Sequence, residues 1–284
     1  MNTKIRQMFN TYKRNPFSLA MRLCLLASIT FTVGVLAFLL IYIMAKGIPY
    51  LTPTLFSLNY TSENVSMMPS IITTLLMVIM ALLISLPFGV LSAVYMVEYA
   101  PKGSKTVEII RLTTETLSGI PSIVYSLFGN VFFVTSLKWG YSFLAGVMTI
   151  SIMILPLIMR NTEEALLSVP EDWRQASFGL GAGSLRTVFK IVLPSAVPGI
   201  FAGIILGIGR IVGETAALIY TLGTMAKIPD GLFSSGRTLA LHMWVLSGEG
   251  LHINQAYATA VVLIFIVLII NGISGVIAKQ IQKR

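Results

Sequence analysis

Five stretches of this chain run for twenty residues or more without a single charged side chain, at residues 23–45, 69–97, 116–137, 139–159 and 253–278. A sixth, residues 199–222, carries only Arg210 and Glu214. At a helical rise of about 1.5 Å per residue, each is long enough to cross about 30 Å of hydrocarbon. Only helices or closed barrels satisfy the backbone there, and continuous apolar runs of this length read as helices. The expectation is an all-α, polytopic membrane protein with six transmembrane helices. With 55% hydrophobic and 11% charged residues, no soluble domain is left over.

The net charge of +9 does not mark a nucleic-acid partner, because Lys and Arg flank the apolar spans instead of forming a patch with interleaved aromatics. Their distribution sets topology. Fifteen fall at the two termini and the loops on one side, whereas Lys46, Lys138, Lys227 and Arg237 are the four on the other. The positive-inside rule then places both termini in the cytoplasm. The resulting division is a cytoplasmic N-terminal segment 1–22, a first span 23–45, an extracytoplasmic loop 46–68, a core of five spans over 69–278 and a cytoplasmic tail 279–284. Within the core lie a cytoplasmic loop 161–198 and an extracytoplasmic segment 223–252. The basic-then-apolar N-terminus is too long for a signal peptide and lacks a clear cleavage site. A single cysteine, Cys24, forms no internal disulfide and no metal cluster, and His242 and His252 have no further ligand pattern, so no metal is expected.

The loop 161–198 reads as two short helices bent against each other. Pro170, Glu171 and Asp172 open the first, with negative charge where free N–H groups point outward. Gly179, Gly181 and Gly183 supply the bend, Ser184 can cap the second helix, and Pro194 and Pro198 close it. Trp173, Leu180, Leu185 and Phe189 contribute to an apolar stripe suited to a groove on a soluble partner, or alternatively to a lipid surface. The spacing Gln175-Ala176-Ser177, Gly181 and Ile191-Val192-Leu193-Pro194 resembles the EAA coupling loop (E-A-A-x3-G-x9-I-x-L-P) of ABC importer permeases. That resemblance implies docking on an ATPase subunit. Gln175 stands where the pattern has Glu and Ser177 where it has the second Ala. These departures bear on the Glu's charge contact and not on the bend.

Arg210 sits about 17 Å into the sixth apolar stretch, near the bilayer midplane, where ionised side chains face protein or water. Gly203, Gly207, Arg210, Glu214 and Ala217, spaced by four, three, four and three, would share one helix face turned into the bundle. Arg210 and Glu214 either neutralise each other or line a path. In the second case the Arg210 fork matches two oxygens of a tetrahedral oxyanion, and Glu214 accepts a hydrogen bond from a protonated one. Such a pair favours hydrogen phosphate over sulfate.

The stretches LSGIPSIVYSLF (117–128), GRIVGETAA (209–217), LFSSGRTLALHMWV (232–245) and Glu249-Gly250-Leu251 with Ala256 to Ala260 resemble phosphate-importer permeases of the PstA type. The resemblance implies a non-catalytic subunit of the bacterial cytoplasmic membrane. Its partners would be a second, PstC-type permease, a PstB-type ATPase dimer and an extracytoplasmic PstS-type phosphate-binding protein. No cofactor is expected on this chain, since no phosphate-binding G-x4-G-K-[ST] loop occurs; ATP and Mg would be used by the ATPase. Two other readings stand beside this one. One is a permease for phosphonate, sulfate or molybdate. The other is a membrane-embedded enzyme using Glu214 as general acid or base, which lacks a clustered second carboxylate.

Overall fold

The computed structural model describes residues 16–101 and 103–282, without the side chains of residues 16 and 277–282. Of the basic residues used for orientation, Lys4, Arg6, Lys13, Arg14, Lys102, Lys283 and Arg284 lie outside the described residues, as does the side chain of Lys279. Among the described residues there are helices and no strand. Among the described residues five helical segments are long and apolar enough to cross a membrane, and a pair bent by 101° brings the number to six where it counts as one span.

The first helix, α1 (Pro16–Gly47), is exposed along most of its length, and its main packing partner is the last helix. Its described part extends past the expected 23–45, across Arg22. Where it ends, a Cβ on Gly47 would lie 2.4 Å from the Tyr257 carbonyl oxygen, so glycine permits the contact. The second span is α2 (Met68–Val94), continued by a π turn (Tyr95–Tyr99) that carries Glu98. Thr73 and Thr74 near its start donate to the Pro69 and Ser70 carbonyls, as expected of hydroxyls satisfied inside a helix.

The third span differs from the expected 116–137. Residues 116–118 belong to α3 (Lys105–Ser118), an amphipathic helix that ends at Gly119. The chain then bends by 101° at residues 119–121 into α4 (Ser122–Gly129) and its π extension (Asn130–Ser136). The cause is local. Pro121 has no N–H to continue α3 and holds an extended conformation before the first turn of α4. The fourth span, α5 (Phe143–Leu167), is shifted toward the following loop relative to 139–159. Ser142 caps its start by accepting from the Ala145 N–H at 3.3 Å. Its charged end stays helical because Arg160 pairs with Glu164 at 3.1 Å, one turn on, and Arg111 of α3 with Glu163 at 2.5 Å.

Residues 161–167 therefore belong to a span and not to the polar loop. The bend lies between α6 (Glu171–Gly179) and α7 (Ser184–Thr187). Gly183, not Ser184, occupies the cap position of α7, and no side chain caps it. A second correction concerns Pro194 and Pro198, which do not close a helix. From α7 the chain passes through a π turn (Val188–Val192) into α8 (Leu193–Gly213), one helical run of 30 residues. The wider π turn just before Pro194 absorbs the missing N–H, so the helix continues where an ordinary α turn would clash.

After α8 come α9 (Ala216–Ile219), α10 (Leu239–Glu249) and α11 (Ile253–Gln282). Within the segment 223–252 lies α10, packed on α2 and α11 with Leu239, Leu241 and Leu246 fully buried. The main core joins α2, α4, α5, α8 and α9 around Met77, Ile150, Ile154, Ile211 and Leu218. A second cluster, around Val94, Leu166, Val188 and Val192, lies under the α6–α7 bend, and a third beneath α10 at the other end.

Candidate functional site

The α6–α7 elbow forms because its sequence can both end and restart a helix within a few residues. Gly181 adopts φ +82°, a left-handed conformation that side-chain-bearing residues resist, and its N–H reaches the Phe178 carbonyl at 2.9 Å. The Ala182 N–H closes the turn on the Ser177 carbonyl at 3.1 Å. Ser177 also explains its own departure from the EAA pattern. Its hydroxyl lies 2.8 Å from that of Thr187, both buried, so the two arms are tied by a hydrogen bond that Ala would lack. Ser177→Ala strands the Thr187 hydroxyl and is expected to cost about 1–2 kcal/mol, whereas Ser177→Ala with Thr187→Val should recover most of it. Thermal unfolding of the purified protein measures both.

Outward, the elbow is apolar. Leu180 is 90% exposed and Leu185 67%, with Trp173, Phe178 and Phe189 about half exposed. Gln175 and Ala176 are exposed, Ile191 and Leu193 are half-buried, and exposed Pro194 lies in the first turn of α8. A concavity of about 500 Å³ in the bend is lined by Trp173, Leu180, Ala182, Arg186 and Ile191.

Inward, the elbow is fastened by a charge pair not recognised from the sequence. Arg174 is buried, and its Nε and Nη2 edge grips Glu98 at the end of the second span, the shortest contact being 2.7 Å. Nη1 and Nη2 also donate to the Val169 and Leu166 carbonyls at 2.8 and 2.9 Å. Chiefly through its hydrogen bond with Glu98, the guanidinium's pKa is raised above its ordinary value. Seventy-six residues separate the partners in the sequence.

Near the elbow end of α5, α8 and α5 cross closely and antiparallel. A Cβ on Gly199 would meet Ala165 Cβ at 2.6 Å, and one on Gly203 would meet Asn161 Cβ at 2.5 Å. Carried about seven residues further, this register puts half-buried Arg210 near the level of Ile154, the middle of α5. Gly207 has open space where a Cβ would be, so the tight approach expected along the whole face stops at Gly203. The expectation of one face through Glu214 and Ala217 is also corrected. α8 ends at Gly213, and Glu214 is extended, with φ −74° and ψ 127°. Its Oε1 accepts from the Ala217 N–H at 3.0 Å, which satisfies the start of α9.

No ion pair or hydrogen bond joins Arg210 to Glu214 among the described residues, so the two do not neutralise each other by contact. Arg210 lies in the last turn of α8, where unpaired carbonyls favour a cation, and its charge is felt at buried Tyr125 of α4. Among the described residues Arg210 has no hydrogen-bond or ion-pair partner, and a helix broken near mid-span is an arrangement found at transporter substrate sites.

Comparison with known proteins decides the family. A model of the binding-protein-dependent transport system inner membrane component matches residues 85–284, well over half the chain. The chain belongs to this family. It is thus a multi-pass inner-membrane permease subunit. A probable ABC transporter permease protein YqgI of Bacillus subtilis is 37% identical to this permease over 220 residues, 72% of this chain and 74% of the relative. The phosphate transport system permease protein PstA 2 of Mycobacterium bovis is 32% identical over 265 residues, covering 92% and 86%. Among solved structures, a bacterial alginate ABC transporter aligns with 98% of this chain and 99% of its own at TM-score 0.72 and 17% identity. The MetNI methionine ABC transporter aligns with 75% and 93% at TM-score 0.61 and 21% identity. At those identities the likeness is one of fold.

Proposed function

We propose that this permease is a PstA-type subunit that carries inorganic phosphate into the bacterial cytoplasm. The observation that carries the reading is Arg210, an unpartnered guanidinium at mid-span beside a broken helix, in a chain 32% identical to a phosphate transport permease over nearly its whole length. Its planar fork fits two oxygens of a tetrahedral anion. Glu214, one carboxylate oxygen of which is committed to α9, offers the other to the proton of hydrogen phosphate.

The elbow faces the cytoplasm in this reading, in keeping with the excess of Lys and Arg on that side. There Gln175 to Gly181, with Ile191, Leu193 and Pro194, couple to a PstB-type ATPase dimer, which binds and hydrolyses ATP with Mg. Exposed Leu180 and Leu185 supply apolar anchors for that contact. A PstC-type permease completes the path and a PstS-type protein delivers phosphate from outside. This chain itself makes and breaks no covalent bond. Labelled phosphate uptake into vesicles carrying the co-expressed complex tests the substrate. Excess unlabelled phosphate should compete, while sulfate, molybdate and phosphonate at the same concentration should leave uptake within about twofold of control. Equal competition by sulfate would overturn the phosphate reading.

A further inference from the structure

The SGRTLA stretch contains the second buried arginine of the described residues, and its surroundings differ from those of the first. Arg174, 8% exposed, has Glu98 on its Nε and Nη2 edge. Arg237 is only 3% exposed, yet its Nε and Nη2 have no hydrogen-bond acceptor among the described residues. This is the edge that elsewhere in the same chain holds a carboxylate. A guanidinium cannot shed its charge, so burial without an anion is costly. The face of Tyr60 lies 4.8 Å from the guanidinium carbon, a weak substitute for an anion.

Two neighbouring side chains share the deficit. The Thr238 hydroxyl and both ring nitrogens of His242 are buried without hydrogen-bond partners, each residue being fully buried. His242 also meets the Tyr60 ring edge-on at 6.2 Å. Burial first and the Arg237 charge second push the His242 imidazole down to about 3; the Val65 carbonyl opposes this in part but does not reach hydrogen-bond geometry. The ring is therefore neutral, with one nitrogen a donor and the other an acceptor. A fork of two N–H groups, a hydroxyl and a neutral imidazole together match the oxygens and the single proton of hydrogen phosphate.

The group lies at the end of the molecule opposite the elbow. The Leu239 N–H, two residues past Arg237, donates to Thr74 near the start of α2, and Glu98 lies about 36 Å further along the second span. We infer that Arg237, Thr238 and His242 form an oxyanion site at the extracytoplasmic mouth, covered by Tyr60, where phosphate rests before passing to Arg210. This deepens the phosphate reading and rests on it for the direction of travel. Tyr60 occupies the guanidinium face while the mouth is closed, and the anion engages the fork when the mouth opens.

The test uses the co-expressed permease–ATPase complex without the binding protein, in wild-type form and as Arg237→Met, Tyr60→Ala and Arg210→Gln. Inorganic phosphate, against chloride at matched ionic strength, should raise the unfolding midpoint of wild type by about 3 °C, and that of Arg210→Gln, which keeps Arg237 but lacks the mid-span fork, by a smaller amount. Arg237→Met should lose the part of that shift that Arg210→Gln retains, and Arg210→Gln combined with Arg237→Met all of it, while the Arg237→Met midpoint without phosphate equals or exceeds that of wild type, because an unpaired buried charge has been removed. Its uptake in vesicles should fall by about tenfold or more. Tyr60→Ala should enlarge the phosphate shift. An unchanged shift in Arg237→Met overturns the inference. So does loss of stability or of a subunit from Arg237→Met without phosphate, since a partner's carboxylate would then be the missing acceptor. An Arg237-dependent shift given by sulfate and not by phosphate supports the site and removes phosphate as the substrate.

Discussion

Arg210→Gln is expected to abolish phosphate import, with uptake reduced by about a hundredfold or more, and to leave the complex assembled. The size follows from losing a charge-assisted fork in a site shielded from water, where removing one partner of a buried charge contact costs about 2–5 kcal/mol. Intact assembly follows from the geometry. Arg210 makes no hydrogen bond or ion pair within the described chain, so glutamine leaves no partner stranded. Arg210→Lys should recover only part of the activity, because an ammonium keeps the charge without the planar fork. Uptake of labelled phosphate in vesicles gives the activity, and copurification of the ATPase gives the assembly. Normal uptake by Arg210→Gln would remove this residue from the path.

Glu98→Gln acts by a different route. It preserves shape but strands the Arg174 charge, which is held on all sides by protein and has only the Val169 and Leu166 carbonyls and the distant, exposed Glu171 carboxylate left. Breaking a buried pair from one side costs about 3–5 kcal/mol, enough to detach the elbow from the end of the second span. The expected result is uptake lowered by at least about tenfold while basal ATP hydrolysis by the complex persists, with faster backbone hydrogen exchange over residues 171–180. Exchanging the charges, Glu98→Arg with Arg174→Glu, should restore part of the coupling. Full uptake by Glu98→Gln, or exchange unchanged over α6, would show that the elbow is held by its apolar contacts instead.

The legible parts of this molecule were those fixed by local composition. Charge-free length located the spans, and Gly181 with the flanking polar residues located the bend, because a left-handed residue and a solvent-facing turn have a signature within ten residues. The boundaries failed where charge and helicity part company. Arg160, Glu163 and Glu164 end an apolar window but not a helix, and residues 116–118 lack charge yet lie in α3. Pro194 was misread because a π turn can carry a helix through a proline, and nothing in a sequence marks such a turn, and Pro198 because it lies inside α8 without ending it. The spacing of Glu214 mimicked a helix face, although its carboxylate serves the next helix. Pairings such as Glu98 with Arg174, or Thr74 with the backbone of Leu239, join residues dozens to hundreds of positions apart. Only the packed fold brings them together.

Because α7, the π turn and α8 form one unbroken helical run, Ser184 at the elbow and Arg210 in the bilayer are opposite ends of a rod about 39 Å long. A tilt of about 10° around its elbow end would swing the guanidinium sideways by about 7 Å, roughly one helix radius with side chains. Small rotations imposed from outside the membrane are thereby geared up into a displacement the size of the cargo, without any residue in between having to change its conformation.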